Sequence, residues 1–352
     1  MDIKYTLDTD TVAYDENGNA LKIIDHTALP GRTELLTLTK AEDIWDAIYL
    51  LKVRGAPAIG VAAAIGLYVI MSRSGINDRE EFLKLLHEKK EYLNSSRPTA
   101  VNLSWALKRM EGKAQKQGDS SVDEILKTLK AEALAIKAED TDMCKRIGEY
   151  ALSLLKKGDG LLTHCNAGQL ATSKYGTATS AMYLGYEKGY DFKIFCDETR
   201  PLLQGARLTA YELSSAGLDV TLLCDNMVSS IMRQGKINAV LVGCDRVARN
   251  GDVANKIGTS VVATVAKRYG IPFYVCAPSS TIDPETETGN DIVIEQRPGE
   301  EVTEMWYEKR MAPPNISVYN PAFDITDSEL ITAIITERGI FRAPYDFKNV
   351  TV

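Results

Sequence analysis

Five short apolar runs recur in the second half of the chain, and their spacing restricts the fold more than any other feature. They are Leu161-Leu162-Thr163-His164-Cys165, Phe192-Lys193-Ile194-Phe195-Cys196, Val220-Thr221-Leu222-Leu223-Cys224, Ala239-Val240-Leu241-Val242 and Phe273-Tyr274-Val275-Cys276. Helical patterns of about a dozen residues separate them, which is the rhythm of βαβ units and of a parallel sheet covered on both faces. The N-terminal part reads differently. Residues 1 to about 35 alternate apolar and polar around turns at 15–19 and 29–31, as short antiparallel strands do. Helices follow, the first with Thr39 and Glu42 spaced as a capping box. The expected fold class is therefore α/β: a Rossmann-like parallel-sheet C-terminal domain, residues 136–352, and a smaller N-terminal domain of short antiparallel strands and helices, residues 1–135. The boundary is expected near a break in the long helical pattern at Glu139-Asp140-Thr141.

A chain of 352 residues with 45% hydrophobic and 25% charged residues has the composition of a globular protein. Its formal net charge of −7 disfavours nucleic acid or anionic membranes as partners, although a few placed cations suffice for a small phosphorylated ligand. Met1-Asp2-Ile3-Lys4 opens no apolar run, so no secretion signal is expected. The apolar stretch Ala56 to Met71 is too short to span a bilayer and reads as a buried helix. Six cysteines without a CxxC pair and only three histidines argue against a disulfide scaffold or a zinc site and for reduced thiols in the cytoplasm. No GxGxxG follows the first strand and no GxxxxGK[ST] occurs, so no nucleotide cofactor is indicated.

Open α/β sheets place chemistry beyond the carboxyl ends of their strands. Asp197, Asp225 and Asp245 occupy such ends. So do Cys165, Cys196, Cys224, Cys244 and Cys276, most of which suit packing as small hydrophobes. Cys165 differs, because it leaves its strand into the small-residue turn Asn166-Ala167-Gly168-Gln169; His164 beside it should point to the opposite face. Arg54-Gly55-Ala56 at the start of the buried helix suits either a phosphate cradle or a plain tight turn. Arg97 lies at a break between helices, Gln204 near a helix start, and Asn255-Lys256 on a polar approach to another. Together these would supply anion binding, with Cys165 and Asp245 as the reactive groups.

The motifs RGAPAIG (54–60), RPTAVNLSWAL (97–107), THCNAG (163–168), ETRPLLQGARLTAYEL (198–213), GCDRVARNGDVANKIGT (243–259) and APSSTID (277–283) resemble the methylthioribose-1-phosphate isomerase family, and residues 319–340 are similar to its C-terminal segment. The resemblance implies an aldose–ketose isomerase acting on a small phosphorylated sugar, without metal or organic cofactor, and usually homodimeric. It places the catalytic cysteine on Cys165 and the catalytic aspartate on Asp245. Substrate contacts fall on Arg54, Gly55, Ala56, Arg97, Gln204, Asn255 and Lys256. To donate a proton to the ring oxygen at neutral pH, Asp245 is expected to need a dry, apolar surround. Cys244 replaces an expected small residue, and residues 304–310 depart from the usual family sequence. That departure leaves 5-deoxyribose-1-phosphate isomerase as the rival within the fold. Ribose-1,5-bisphosphate isomerase would need a second phosphate site, and a regulatory phosphosugar- or nucleotide-binding subunit is the non-enzymatic rival.

Overall fold

The computed structural model describes residues 9–98, 100–345 and 347; Met1–Lys4 and Thr99 of the 97–107 motif lie outside them. By internal contacts the chain forms two units, a helical one of residues 7–142 with 169–176 and a sheet unit of 143–168 with 177–352.

In the helical unit, β1 (Val12–Asp15), β2 (Ala20–Ile24) and β3 (Leu35–Leu38) form an antiparallel sheet in that order. Helices α1 (Ala41–Tyr49), α2 (Ala56–Ser72), α3 (Arg79–Asn94) and α4 (Val101–Gln115) follow, and then α5 (Val122–Leu152), which continues past residue 142 into the sheet unit. The expected capping box is displaced. Lys40, not Thr39, precedes α1 and makes no side-chain cap, so Glu42 has no reciprocal partner at that spacing. The apolar run 56–71 is the buried helix α2, entered through Gly55 and Pro57, with nearly every residue from Ala58 to Met71 in the core. The break expected at Glu139-Asp140-Thr141 does not occur. Asp140 and Thr141 are mediocre helix formers, but the segment contains neither Gly nor Pro, and α5 runs through it, 31 residues in all. No described helix is long and apolar enough to cross a membrane.

In the sheet unit the succession is β4 (Gly160–Thr163), α6 (Ser180–Glu187), β5 (Lys193–Asp197), α7 (Ala210–Ser215), β6 (Asp219–Leu223), α8 (Val228–Arg233) and β7 (Ala239–Val242). A hairpin of β8 (Arg246–Ala248) and β9 (Val253–Lys256) comes next, then α9 (Thr259–Tyr269), β10 (Phe273–Cys276), β11 (Ile282–Asp283), α10 (Glu300–Thr303), β12 (Phe323–Thr326), β13 (Ala333–Thr336) and β14 (Gly339–Phe341). The large sheet has the order β14-β13-β10-β7-β4-β5-β6, parallel except at the β13–β14 edge. Counted along the chain this is the doubly wound order, with its reversal between β4 and β7. A second sheet, β11-β8-β9-β12, carries the segment after β7. The polar approach through Asn255-Lys256 is therefore a strand, because Asn250-Gly251-Asp252 closes a hairpin turn, with Gly251 at φ +89°.

All six cysteines are free. Burial pushes the Cys276 thiol up to about 12 and Cys196 higher still, as expected of packing residues. In the helical unit, burial also raises Asp140 to about 6 from the ordinary 3.8, against a 2.6 Å hydrogen bond donated by Ser173 N–H. A raised carboxyl leaves stability intact below about pH 4 and erodes it as the pH climbs to about 6, here by about 3 kcal/mol. Asp140→Asn keeps an acceptor for Ser173. Relative to the parent, its unfolding free energy in urea should therefore gain about 2–3 kcal/mol between pH 4 and 7.5; a difference independent of pH would contradict this.

Candidate active site

Cys165 sits two positions beyond β4, buried, with φ +63°. A left-handed cysteine is held against its backbone preference, and here two threonines hold it. Its N–H donates to Thr199 Oγ1 at 2.8 Å, and its carbonyl accepts from Thr209 Oγ1 at 2.6 Å. Thr209 accepts in turn from Asn166 Nδ2 at 3.1 Å, and Thr199 donates to Asp197 O at 3.1 Å. With the backbone so placed, the Cys165 thiol donates to Gln204 Oε1 at 3.1 Å. This directs the Gln204 carbonyl to sulfur and leaves its NH₂ as the end suited to a ligand oxygen. Gln204 precedes a π-helical turn, Gly205–Thr209. That turn approaches β5 so closely that a Cβ at Gly205 would lie 1.7 Å from Asp197 O.

His164 points away from the thiol, as strand alternation requires. Its Nδ1 lies 3.1 Å from Asp197 Oδ2, and its Nε2 donates to Ile257 O at 2.9 Å. Burial opposes its charge, but the Asp197 hydrogen bond and carboxylate outweigh burial and raise its pKa. Among the described residues, His164, Asp197 and Asp225 are the group with metal-ligand proximity, their donor atoms within 4.8 Å of one another. Most of those atoms are already committed: both His164 nitrogens as above, and both Asp225 oxygens to Thr199 N at 2.7 Å and Arg200 N at 2.8 Å. The cluster braces the loops around Cys165.

Asp245 lies three residues beyond β7, the strand paired with β4. Gly243 lets the two strand-end loops meet, since a Cβ there would fall 2.5 Å from Ala167 Cβ. Asp245 N–H donates to Ala254 O at 3.0 Å, which sets the acid beside the strand bearing Asn255 and Lys256. The dry surround expected for Asp245 is not built into this unit: the residue is exposed. It stands where β7 leads into the hairpin, opposite Ala254, so a ligand would itself have to displace water there.

Asn255 and Lys256, expected to hold an anion, both lie on β9. Asn255 is buried and donates to Thr259 Oγ1 at 3.1 Å. The amides opening α9 are taken by Asp324, whose carboxylate accepts from Gly258 N at 2.8 Å and Ser260 N at 3.1 Å. An internal carboxylate thus fills that helix end. Lys256 Nζ lies 4.5 Å from the centre of the Phe323 ring, so its ammonium is what remains for an anion.

The other expected contacts belong to the helical unit. Gly55 has φ +95°, and a Cβ there would lie 2.4 Å from Ala171 O, so the position demands glycine on two grounds. Arg54-Gly55-Ala56 leads directly into α2, and Arg97 lies four residues before α4. Gly60 brings the two helix starts together, because its Cβ position is 2.9 Å from Asn102 O. Two arginines thus stand at adjacent helix N-termini, where exposed amides and the helix dipoles favour an anion. Sequence reasoning passed over Thr199 and Thr209, which brace the cysteine from loops remote in sequence. Asp225 was visible only as a strand-end acid.

A doubly wound sheet with a cysteine and an aspartate beyond the two strands at its reversal defines a Rossmann-like small-molecule site. The chain belongs to the initiation factor 2 subunit family, whose model matches residues 52–343. It is 62% identical to methylthioribose-1-phosphate isomerase of Symbiobacterium thermophilum, over 95% of this chain and 93% of that protein. It is 57% identical to 5-deoxyribose 1-phosphate isomerase of Petrotoga mobilis, over 95% of this chain and 96% of that one. The crystal structure of 5-methylthioribose 1-phosphate isomerase from Pyrococcus horikoshii superposes with a TM-score of 0.93 at 42% identity, covering 99% of this chain and 96% of the other.

Gly205→Ala would force its new methyl group into the carbonyl of Asp197 and push Gln204 off the thiol. It should cost about 1–3 kcal/mol in urea unfolding and lower ligand-saturated turnover by about tenfold or more. Wild-type stability and turnover would show that the turn has room to shift.

Proposed function

We propose that the protein converts 5-methylthioribose 1-phosphate to 5-methylthioribulose 1-phosphate, acting as a homodimer in the cytoplasm. The observation that carries this reading is the placement of Cys165 and Asp245 beyond the paired central strands β4 and β7. The 62% identical isomerase named above supports the choice of sugar.

The chemistry follows from the substrate. A phosphate on C1 locks the ring and prevents spontaneous opening to an aldehyde, so an acid must protonate the ring oxygen as its bond to C1 breaks. Asp245 is the group assigned to that proton. Hydrogen then passes from C2 to C1 with assistance from Cys165, the C2 hydroxyl becomes the ketone, and its proton returns to the carboxylate. No atom is gained or lost. Within the sheet unit, Lys256 supplies a cation for the phosphate, and Gln204 and Asn255 supply amide groups for sugar oxygens; within the helical unit, Arg54, Arg97 and the amides of Gly55 and Ala56 are the groups suited to an anion. Asp245 is exposed, so the apolar face of the bound sugar would have to cover it to provide the dry surround that proton delivery requires.

The second reading is 5-deoxyribose-1-phosphate isomerase, favoured by the 57% identity to a protein of that name and by the unusual residues 304–310. The two differ only in a methylthio group, which is worth about 1–3 kcal/mol of discrimination in an apolar pocket.

Cys165→Ser and Asp245→Asn should each lower kcat by about 10²–10⁴-fold with melting temperatures near that of the parent. Near-normal turnover in either would remove that residue from the mechanism. Compared by kcat/KM, 5-methylthioribose 1-phosphate should exceed the 5-deoxy and 5-phospho sugars by about tenfold or more. A preference for the 5-deoxy sugar selects the second reading, and turnover of none selects a binding subunit.

A further inference from the structure

The sheet unit holds a device that the proposed chemistry does not by itself require. Thr199 is fully buried and β-branched, yet it lies at φ +64°, a conformation such residues adopt only where surrounding structure imposes it. What imposes it is Asp225: one carboxylate oxygen accepts Thr199 N–H at 2.7 Å, the other Arg200 N–H at 2.8 Å. This fixes the Thr199 hydroxyl, which donates to Asp197 O at 3.1 Å and accepts the Cys165 N–H at 2.8 Å. Cys165 is itself left-handed, and in that conformation its thiol meets Gln204 at 3.1 Å. The chain of contacts runs from the end of β6, through the loop after β5 that is strained at Thr199, to the sulfur beyond the end of β4.

From this geometry we infer that Thr199, held by Asp225, is the positioning residue of Cys165. It keeps the cysteine backbone left-handed so that the thiol faces Gln204 rather than swinging back along the strand direction. Thr199 touches no reacting atom. Its removal should therefore act through thiol placement, lowering kcat while leaving substrate affinity largely intact. Thr209, bonded to the Cys165 carbonyl, supplies the other half of the grip but cannot replace a lost acceptor for the N–H. The inference rests on the reading of Cys165 as the working thiol, and its test separates the two.

Thr199→Val keeps the side-chain shape and removes the hydroxyl, whereas Thr199→Ser keeps the hydroxyl. In protein labelled with [3-¹³C]cysteine, the Cys165 resonance is assigned by its disappearance in Cys165→Ser, and its chemical shift reports both backbone conformation and thiol ionisation. Thr199→Val should move that resonance and its pH titration while the other cysteine resonances stay in place. It should also lower kcat on 5-methylthioribose 1-phosphate by about tenfold or more with KM within about threefold. Thr199→Ser should restore both. An unmoved resonance with parental kcat in Thr199→Val overturns the inference, and so does a serine variant as impaired as the valine one. If the parent protein turns over no sugar phosphate, the proposed function fails, but the resonance still decides the positioning role. Should Thr199→Val not fold, Asp225→Asn is read in the same way: a displaced Cys165 resonance supports the inference, and an unmoved one overturns it.

Discussion

The site depends on the parallel pairing of β4 with β7, where the sheet reverses its winding. On either side of that pair the connections leave for opposite faces, so the carboxyl ends of the two strands open onto a crevice that no crossover helix covers. Cys165 and Asp245 follow these two strands within three residues of their ends, so both leave the same edge of the sheet from adjacent strands although 80 positions separate them in the chain. Gly243 matters for the same reason. A side chain there would collide with Ala167, so the loop carrying the cysteine could not settle against the loop carrying the acid. Remote parts of the unit, including the hairpin that follows Asp245, take their positions from that central pair.

Around this crevice the backbone departs from ordinary preferences in a confined region. Cys165, Thr199 and Leu203 are all left-handed without being glycine, at a cost of about 1–3 kcal/mol each. The cost is offset by hydrogen bonds with two buried hydroxyls and a half-buried carboxylate, with Thr199, Thr209 and Asp225 each engaging backbone groups at 2.6–2.8 Å. His164 and Asp197 reinforce the arrangement from the opposite face of the strand by joining β4, β5 and the connection into α9. Departures of this kind are expected where a protein trades local stability for a defined arrangement of reactive groups.

How far the sequence anticipates this differs from residue to residue. The βαβ rhythm is legible because each strand is a compact apolar run bounded by turns, and all five expected strands are present within a residue or so. Cys165 and Asp245 are legible as candidate reactive groups at strand ends, and their assignment as catalytic residues is what the motif resemblance implies. What is not legible depends on contacts distant in the chain. Nothing near Asn255 reveals that Asp324 fills the start of α9, or that residues 253–256 pair with β12. Nothing in Gln169–Gly176 reveals that it leaves the sheet unit to pack against Gly55. The helix break expected near Glu139 fails for a different reason, because weak helix formers in one turn cannot interrupt a helix stabilised along its length by packing. Exposure of Asp245 likewise depends on where the hairpin projects, which local composition does not encode.

The central claim is that the two strand ends act on one phosphorylated sugar whose phosphate stays on C1 throughout. A phosphorus NMR time course of the purified protein with 5-methylthioribose 1-phosphate tests it directly. The account predicts that the anomeric phosphate signal converts to that of a primary phosphomonoester, with no inorganic phosphate released. An unchanged anomeric signal, or the appearance of inorganic phosphate in its place, would contradict it.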